Sequence, residues 1–256
     1  LGLPGGGYAY ALGALGHYGR RQNAVPVAAL PQGQNRVQAF IPVARIADLL
    51  LHPGEAFRYD GATHRYAHIR LAYWAGGNPF HHHQDLARLH RSFARLDTFV
   101  VHEIAWTATA RHADIVLPAT TFWERNDVHT PWAGAGHYAI FMKQAISPMF
   151  ECRNDFDIFA DLAARVGIND YNDKSEMEWL RELTRKAVDD FDTFADKGVA
   201  RFAPPQDAVA FAAQIRDPES HRFTTPSGKI EVYSMALAAK PDYYGLGHIP
   251  AVPTWI

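Results

Sequence analysis

Residues 68–127 decide the fold and have the sequence HIRLAYWAGGNPFHHHQDLARLHRSFARLDTFVVHEIAWTATARHADIVLPATTFWERND. An apolar run at 69–75 stops at a glycine turn, and a helical pattern over 84–96 leads into a second apolar run at 98–102. Strand, glycine turn, helix and strand in that order predict one βαβ unit. A third strand is predicted over 114–118. Because α/β sheets bind ligands beyond the carboxyl ends of their strands, we expect the functional loops at that edge.

The composition is that of a globular protein. Of the 256 residues, 48% are hydrophobic and 12% are aromatic, which is enough for a large core. The formal net charge of −2 does not indicate a nucleic-acid-binding surface. Cys152 is the single cysteine, so the chain has no internal disulfide, and this residue alone cannot hold an iron–sulfur cluster. The apolar stretch at 8–15 is too short to span a bilayer. We therefore expect neither a nucleic-acid partner nor a membrane span.

Further helices and a strand are predicted outside this stretch. Asn154 is a candidate N-cap, with Asp157 three residues on completing a capping box, and Gly167 supplies the helix stop. Ser175 and Glu178 form a second candidate capping box. Other helices are predicted over 43–51 and 208–215, a strand over 229–233, and irregular chain over 1–36, 55–67, 122–140 and 189–205.

Two helices have an apolar stripe that predicts which face is buried. The first stripe consists of Leu86, Leu89, Phe93 and Leu96. The second consists of Phe156, Phe159, Leu162, Ala163 and Val166.

The glycine turn at 76–79 indicates a nucleotide site. It lacks the G-x-G-x-x-G spacing of an ordinary dinucleotide fold, but two glycines at a strand end let backbone N–H groups approach a phosphate. Glu103 ends the next strand, where an acidic residue commonly accepts hydrogen bonds from ribose hydroxyls. The alternative is that Glu103 only caps its strand in solvent.

Other polar residues in this region have two interpretations each. His81, His82 and His83 are a possible metal set, but consecutive side chains point in different directions, so we expect one of them to face a ligand instead. Arg111 and Arg125 are candidates to hold a pyrophosphate, with threonine hydroxyls such as that of Thr107 adding hydrogen bonds. The alternative for both arginines is an internal set of salt bridges. No nucleophile–base pair stands out in the sequence.

Several motifs together resemble the dimethyl sulfoxide reductase family of molybdenum enzymes, most of all its trimethylamine N-oxide, dimethyl sulfoxide and biotin sulfoxide reductases. Four of these motifs lie in the central part of the chain: WAGGNPFHHHQD at 74–85, VHEIAWTATARHADIVLPATT at 101–121, ERND at 124–127 and RNDFDIF at 153–159. LPGGGYAYALG near the start, IPVARIADLLLHPG at 41–54 and TPSGKIEVYS at 225–234 extend the resemblance along nearly the whole chain.

The resemblance implies an oxidoreductase that removes oxygen from an S-oxide or N-oxide, using molybdenum bound to molybdopterin guanine dinucleotide. It implies an α/β fold with a Rossmann-like sheet and flanking helices, as part of a larger multidomain enzyme. The serine that ligates molybdenum in the family precedes the matched region, so no metal ligand and no catalytic residue is named here. The implied partners are the remaining domains, a small-molecule oxide, and an electron-donor protein or quinol-linked cytochrome.

The resemblance and the spacing argument together give a set of predicted cofactor-binding residues. The GGNP turn and His81 match the contact to one pterin guanine dinucleotide, and Asp155 is expected to accept from a guanine. Glu103 stands where the family often has aspartate, and segment 129–138 also departs from the family pattern, which leaves the substrate open. The full set is Gly76, Gly77, Asn78, Pro79, His81, His102, Glu103, Thr107, Arg125, Asn154 and Asp155.

The chain is expected to be a fragment with three parts: a glycine-rich loop segment at 1–40, an α/β cofactor-cradling domain at 41–170, and a helical and loop segment at 171–256. This fragment alone is expected to be inactive. The alternative function is a non-catalytic nucleotide-binding or assembly module on the same scaffold. A third hypothesis, a metal hydrolase using residues 81–83, predicts bound zinc. A bacterial periplasmic or cytoplasmic location stays open.

Overall fold

A computed structural model describes residues 25–59, 61–130, 137–203, 211–240 and 249–254. Predictions for 1–24, for 131–136 and for the start of the helix at 208–210 lie outside the described residues. The fold is mixed α/β, as predicted, and it contains a parallel sheet and two antiparallel ones in the described part of the chain.

The parallel sheet consists of β3 (Leu71–Ala75), β4 (Thr98–Glu103) and β5 (Ile115–Pro118), in that spatial order. Between β3 and β4 run α2 (Pro79–His82) and α3 (Leu86–Phe93), which confirms the βαβ unit. The side chain of Asp85 caps α3 by accepting from the amide of Arg88. The predicted helix over 84–96 is therefore shorter at both ends, although its position is right.

A cluster of apolar side chains fills one face of this sheet. Its buried members are Leu50, Phe80, Leu89, Phe93, Phe99 and Val101. Leu50 belongs to α1 (Ile46–Leu51), which follows a 3₁₀ turn at Val43–Arg45 and lies against α3. The prediction that Leu86 is buried was wrong, because this residue is 41% exposed at the first position of α3.

The opposite face of the sheet meets α4 (Asp155–Arg165). Its Phe159 ring packs against Tyr73 of β3 and His102 of β4, with ring centroids 5.7 and 4.8 Å apart. Asn154 caps the helix by accepting from the amide of Phe156, and Gly167 has a positive φ at its end, as predicted. The predicted buried stripe was wrong at two positions, because Leu162 and Val166 are exposed.

A second sheet is antiparallel and consists of β6 (Asp127–His129), β7 (Tyr138–Met142) and β8 (Val199–Arg201). Its core joins α5 (Glu176–Thr184) and α6 (Phe191–Lys197), and its buried residues are Ala139, Phe141, Leu180, Phe191 and Phe194. The predicted capping box of Ser175 and Glu178 is present at the start of α5. The irregular chain predicted over 122–140 and 189–205 was wrong, since these segments supply all three strands and α6. This sheet draws on both sides of the predicted domain boundary at 170, and that boundary stays a prediction.

The remaining elements are small. β1 (Ala56–Tyr59) and β2 (Ala62–Arg65) form an antiparallel hairpin where irregular chain was predicted, so that prediction was wrong. α7 (Ala212–Arg216) and α8 (Met235–Ala239) follow β8. The strand predicted over 229–233 was also wrong, because these residues form bends and pair with no strand in the described part of the chain. Among the described residues, no helix has the length and apolar character needed to cross a bilayer.

Candidate functional site

The carboxyl ends of β3, β4 and β5 open at one edge of the parallel sheet. Ala75 pairs with His102, and Glu103 pairs with Pro118, so the three strands end at nearly the same level. The loops that follow begin at Gly76, Ile104 and Ala119. Most of the predicted cofactor-binding residues lie on these loops or at the ends of their strands, as the βαβ interpretation requires.

The glycine turn leaves backbone available to a ligand. Gly76 and Gly77 have φ values of 80° and 78°, a left-handed conformation that glycine adopts without strain. A Cβ at Gly76 would meet no described residue within 4 Å, whereas one at Gly77 would come within 3.3 Å of the His82 ring. Among the described residues, Gly77 donates no backbone hydrogen bond outside the helices and strands. The turn therefore offers an N–H group and open space, which suits a phosphate-bearing ligand.

Thr109 holds the glycine turn against the loop after β4. Its hydroxyl donates to the Asn78 side-chain oxygen and accepts from the amide of Phe80 at 3.3 Å. Thr109 is buried. The side-chain NH₂ group of Asn78 has no acceptor among the described residues, so it can donate to a ligand.

Glu103 stabilises the start of the loop after β4. Its two oxygens accept from the Thr107 hydroxyl at 2.6 Å and from the amide of Ile104 at 3.1 Å. The Thr107 hydroxyl in turn accepts from the amide of Ala110 at 3.2 Å. Each carboxylate oxygen can accept more than one hydrogen bond, so this arrangement leaves Glu103 able to bind a hydroxyl as well.

His102 is enclosed by protein partners. Its Nε2 lies 2.5 Å from the Tyr73 hydroxyl and its Nδ1 lies 2.7 Å from Asp155 Oδ1. The His102 side chain is 1% exposed, whereas that of Asp155 is 43% exposed. Burial, followed by the nearby Asp155 charge, raises the pKa of Tyr73, so the phenol keeps its proton. The Asp155 carboxylate is exposed enough to reach a ligand, whereas the His102 ring is not.

Arg125 and Asn154 are used inside the protein. Arg125 Nη1 donates to the Thr120 carbonyl oxygen at 2.6 Å, and its Nε lies 3.4 Å from Asp127 Oδ2. Asn154 caps α4 with its oxygen and donates from Nδ2 to Glu176 Oε2 at 3.2 Å. The contacts of Arg125 therefore agree with the alternative interpretation, an internal set of salt bridges. A role in cofactor binding stays a prediction for Arg125 and Asn154. Arg111 is exposed and forms no ion pair among the described residues.

The three histidines do not converge. His81 and His82 are exposed, and the rings of His82 and His83 are 5.0 Å apart. Partial burial, followed by the charge of His82, lowers the pKa of His83. The described residues contain no group of three or more histidine, cysteine, aspartate or glutamate side chains that could hold a metal ion.

Some residues that organise this edge were not among the predicted site residues. Tyr73 is the polar residue in the otherwise apolar β3, and that contrast is a usable sequence signal. Glu176 accepts from both Asn126 and Asn154, which lie 50 and 22 residues away, and no local pattern indicates such a contact.

Glu124 connects the loop after β5 to the segment before α4. It is 3% exposed, and its oxygens accept from the amides of Met149 and Thr121 and from the Thr121 hydroxyl at 2.7 to 2.8 Å. These hydrogen bonds, that of Met149 first, hold the pKa of Glu124 below its ordinary value of 4.5.

The low pKa of Glu124 predicts a specific pH dependence of stability. A carboxyl group whose pKa is lower in the folded state than in the unfolded state stabilises the fold. The stabilisation is complete at pH values above the unfolded pKa, near 4.5, and it is lost as the pH falls through the folded-state pKa. We expect Glu124→Gln to lower the melting temperature at pH 7, and the difference from wild type to shrink below pH 4.5. Thermal melts of the full-length protein from pH 7 to pH 3 measure this. Glu151→Gln, on the same segment but exposed, is the control and should match wild type. A difference that is constant with pH would contradict the assignment.

A mixed α/β fold with loops at one edge of a parallel sheet has the general arrangement in which α/β proteins bind their ligands. A family model for molybdopterin oxidoreductases matches residues 9–165. The chain belongs to the molybdopterin oxidoreductase family.

Several curated relatives match over the full length of this chain. A dimethyl sulfoxide/trimethylamine N-oxide reductase of Cereibacter sphaeroides is 39% identical, and the match covers 34% of that protein. A biotin sulfoxide reductase of the same organism is 41% identical, with 35% of it covered. A trimethylamine-N-oxide reductase of Haemophilus influenzae is 41% identical, with 34% covered. The chain thus spans about a third of the length of these relatives. Among solved structures, acetylene hydratase from Pelobacter acetylenicus matches 74% of this chain and 24% of that one, with 20% identity and a TM-score of 0.48.

Proposed function

We propose that this chain is the cofactor-cradling portion of a molybdenum enzyme that reduces an S-oxide or an N-oxide. The observation that carries the proposal is the full-length similarity to three reductases named for such oxides, at 39 to 41% identity. The remaining domains, the oxide and an electron-donor protein or quinol-linked cytochrome are the partners that this proposal requires.

The edge of the parallel sheet is the proposed cradle, and its cofactor is molybdopterin guanine dinucleotide. Its open glycine turn and half-exposed Asp155 carboxylate fit a ligand that carries both phosphates and N–H donors. We assign the phosphates to the amides of Gly76 and Gly77, a hydroxyl to Glu103, and a guanine to Asp155. Arg111, exposed beside the loop after β4, supplies positive charge for the pyrophosphate.

The protein's share of the chemistry is to bind, orient and electrostatically tune the cofactor. When bound, the molybdenum cofactor supplies the two-electron redox chemistry by which an oxide, with two protons, loses its oxygen as water. The residues of this chain hold the nucleotide end of that cofactor at the sheet edge. We further propose that the parallel sheet is part of a Rossmann-like sheet completed by other strands of the full enzyme.

The test uses the full-length protein. Elemental analysis should find molybdenum, fluorescence after oxidative release should find a pterin, and chromatography of the cleaved cofactor should find a guanine nucleotide. A reduced dye should be consumed with dimethyl sulfoxide, trimethylamine N-oxide or biotin sulfoxide. Protein that holds neither molybdenum nor pterin would refute the proposal, and so would loaded protein that reduces none of these oxides.

A further inference from the structure

Tyr73, His102 and Asp155 form a hydrogen-bonded chain that leads from the interior of the parallel sheet to its ligand edge. Tyr73 lies on β3, His102 on β4, and Asp155 is the first residue of α4. Two contacts of 2.5 and 2.7 Å join them in that order. These two hydrogen bonds thus connect β3, β4 and α4. The last group in the series, the Asp155 carboxylate, is accessible to solvent.

The direction of these hydrogen bonds follows from the chemistry of the groups. An ionised carboxylate only accepts, so Nδ1 of His102 carries a proton and donates to Asp155 Oδ1. In the neutral ring Nε2 then has a lone pair, and the Tyr73 hydroxyl donates to it. The imidazole is therefore held as one tautomer by a partner on each side.

The His102 ring cannot leave this arrangement without repacking. It is almost fully buried, and the Tyr73 and Phe159 rings lie 5.3 and 4.8 Å from it. Because the ring is fixed, its Nδ1–H group fixes the position of Asp155 Oδ1. Within the described part of the chain, Asp155 Oδ2 has no hydrogen-bond partner, and the side chain is 43% exposed.

We propose that Tyr73 and His102 are positioning residues that hold the Asp155 carboxylate for an N–H donor of the bound cofactor's nucleotide base. This inference rests on the proposed function, because it assumes that the cofactor lies at this edge. It changes the predicted role of His102, which acts through Asp155 rather than by touching the ligand. It also assigns a role to Tyr73, which was not among the predicted site residues.

The test is a double-mutant cycle on the full-length loaded enzyme, with the rate of pterin release under mild denaturant as the readout. Tyr73→Phe removes one hydroxyl and keeps the ring, so it is the least disruptive variant. We expect it to speed release roughly threefold to tenfold, the range for one lost hydrogen bond. Asp155→Asn, which removes the negative charge and replaces one of the two carboxylate oxygens with an NH₂ group, should speed release more.

The decisive comparison is the double variant. If Tyr73 acts through Asp155, Tyr73→Phe should add nothing on the Asp155→Asn background. If its effect is the same on both backgrounds, its role is structural and the inference is wrong. The inference is also wrong if Tyr73→Phe releases pterin at the wild-type rate. Tyr66→Phe, a buried tyrosine in the β1–β2 region that packs on Phe57, is the matched control and should release pterin at the wild-type rate.

Two further measurements separate the explanations. His102→Asn keeps a side-chain N–H near the Nδ1 position, so it should retain the pterin better than His102→Ala, and equal loss in both would contradict positioning. Melting temperatures of all variants show whether a variant is unfolded. Wild-type enzyme without pterin would refute the proposed function and this inference together. Wild-type enzyme that holds pterin, with a Tyr73→Phe variant that releases pterin at the wild-type rate, would refute this inference alone.

Discussion

Gly76→Ala should weaken cofactor binding by about tenfold or more, which corresponds to about 1.4 kcal/mol of binding free energy, and so lower the pterin content of the purified full-length protein. A Cβ at Gly76 would point into space in which no atom of the described residues lies within 4 Å, at the ligand edge of the parallel sheet. In the proposed complex that space belongs to the cofactor, so the methyl group would hold the ligand away from the backbone amides. Pterin fluorescence per mole of protein is the measurement.

Gly54→Ala is the matched control for this substitution. Gly54 has a φ of +82° and open space around its Cβ position, against +80° and open space at Gly76. Both variants therefore carry the same backbone penalty, roughly 1–2 kcal/mol for a left-handed residue. Gly54 lies in the turn between α1 and β1, away from the edge loops. Equal pterin content in the two variants would show that Gly76 does not face the cofactor.

Leu89→Ala should lower the free energy of unfolding by about 2–5 kcal/mol, as expected when a large core side chain is truncated. Leu89 is 2% exposed and lies in the cluster that joins α3 to the parallel sheet. Its removal leaves a cavity lined by side chains of several elements, which can relax only in part. Chemical denaturation of the full-length protein measures the loss, as the change in the free energy of its first unfolding transition.

Leu86→Ala on the same helix is the control. Leu86 is exposed at the start of α3, so its truncation should change the free energy of unfolding by less than about 0.5 kcal/mol. The two substitutions remove the same atoms and differ mainly in burial. Similar losses at both positions would mean that α3 is rotated relative to the arrangement described above.

Local patterns in the sequence predicted the elements that have a complete local signal. α4 has an N-cap at Asn154, an apolar periodicity and a glycine at its end, and each of these was readable from adjacent residues. The βαβ unit was predicted for the same reason. The β1–β2 hairpin was missed even though the dipeptide at 60–61 is Asp-Gly, a strong hairpin signal, because its strands have mostly exposed side chains.

Long-range pairing could not be predicted in the same way. Residues 229–233 alternate as a strand should, yet Ile230 and Val232 are exposed and no described strand pairs with them. Alternation describes one strand and carries no information about its partner. The contact between His102 and Asp155 spans 53 residues. Both residues were predicted to belong to the site, but no local pattern showed that one supports the other.

The pairing of β7 with β8 imposes an order on folding. β3, β4 and β5 lie within residues 71–118, so the parallel sheet can form as soon as that stretch has left the ribosome. β7 ends at Met142 and its partner β8 begins at Val199, about 60 residues later. At about 5–20 residues per second, β7 waits about 3–12 s of synthesis with one edge unpaired. During that interval this edge is open to mispairing with other chains.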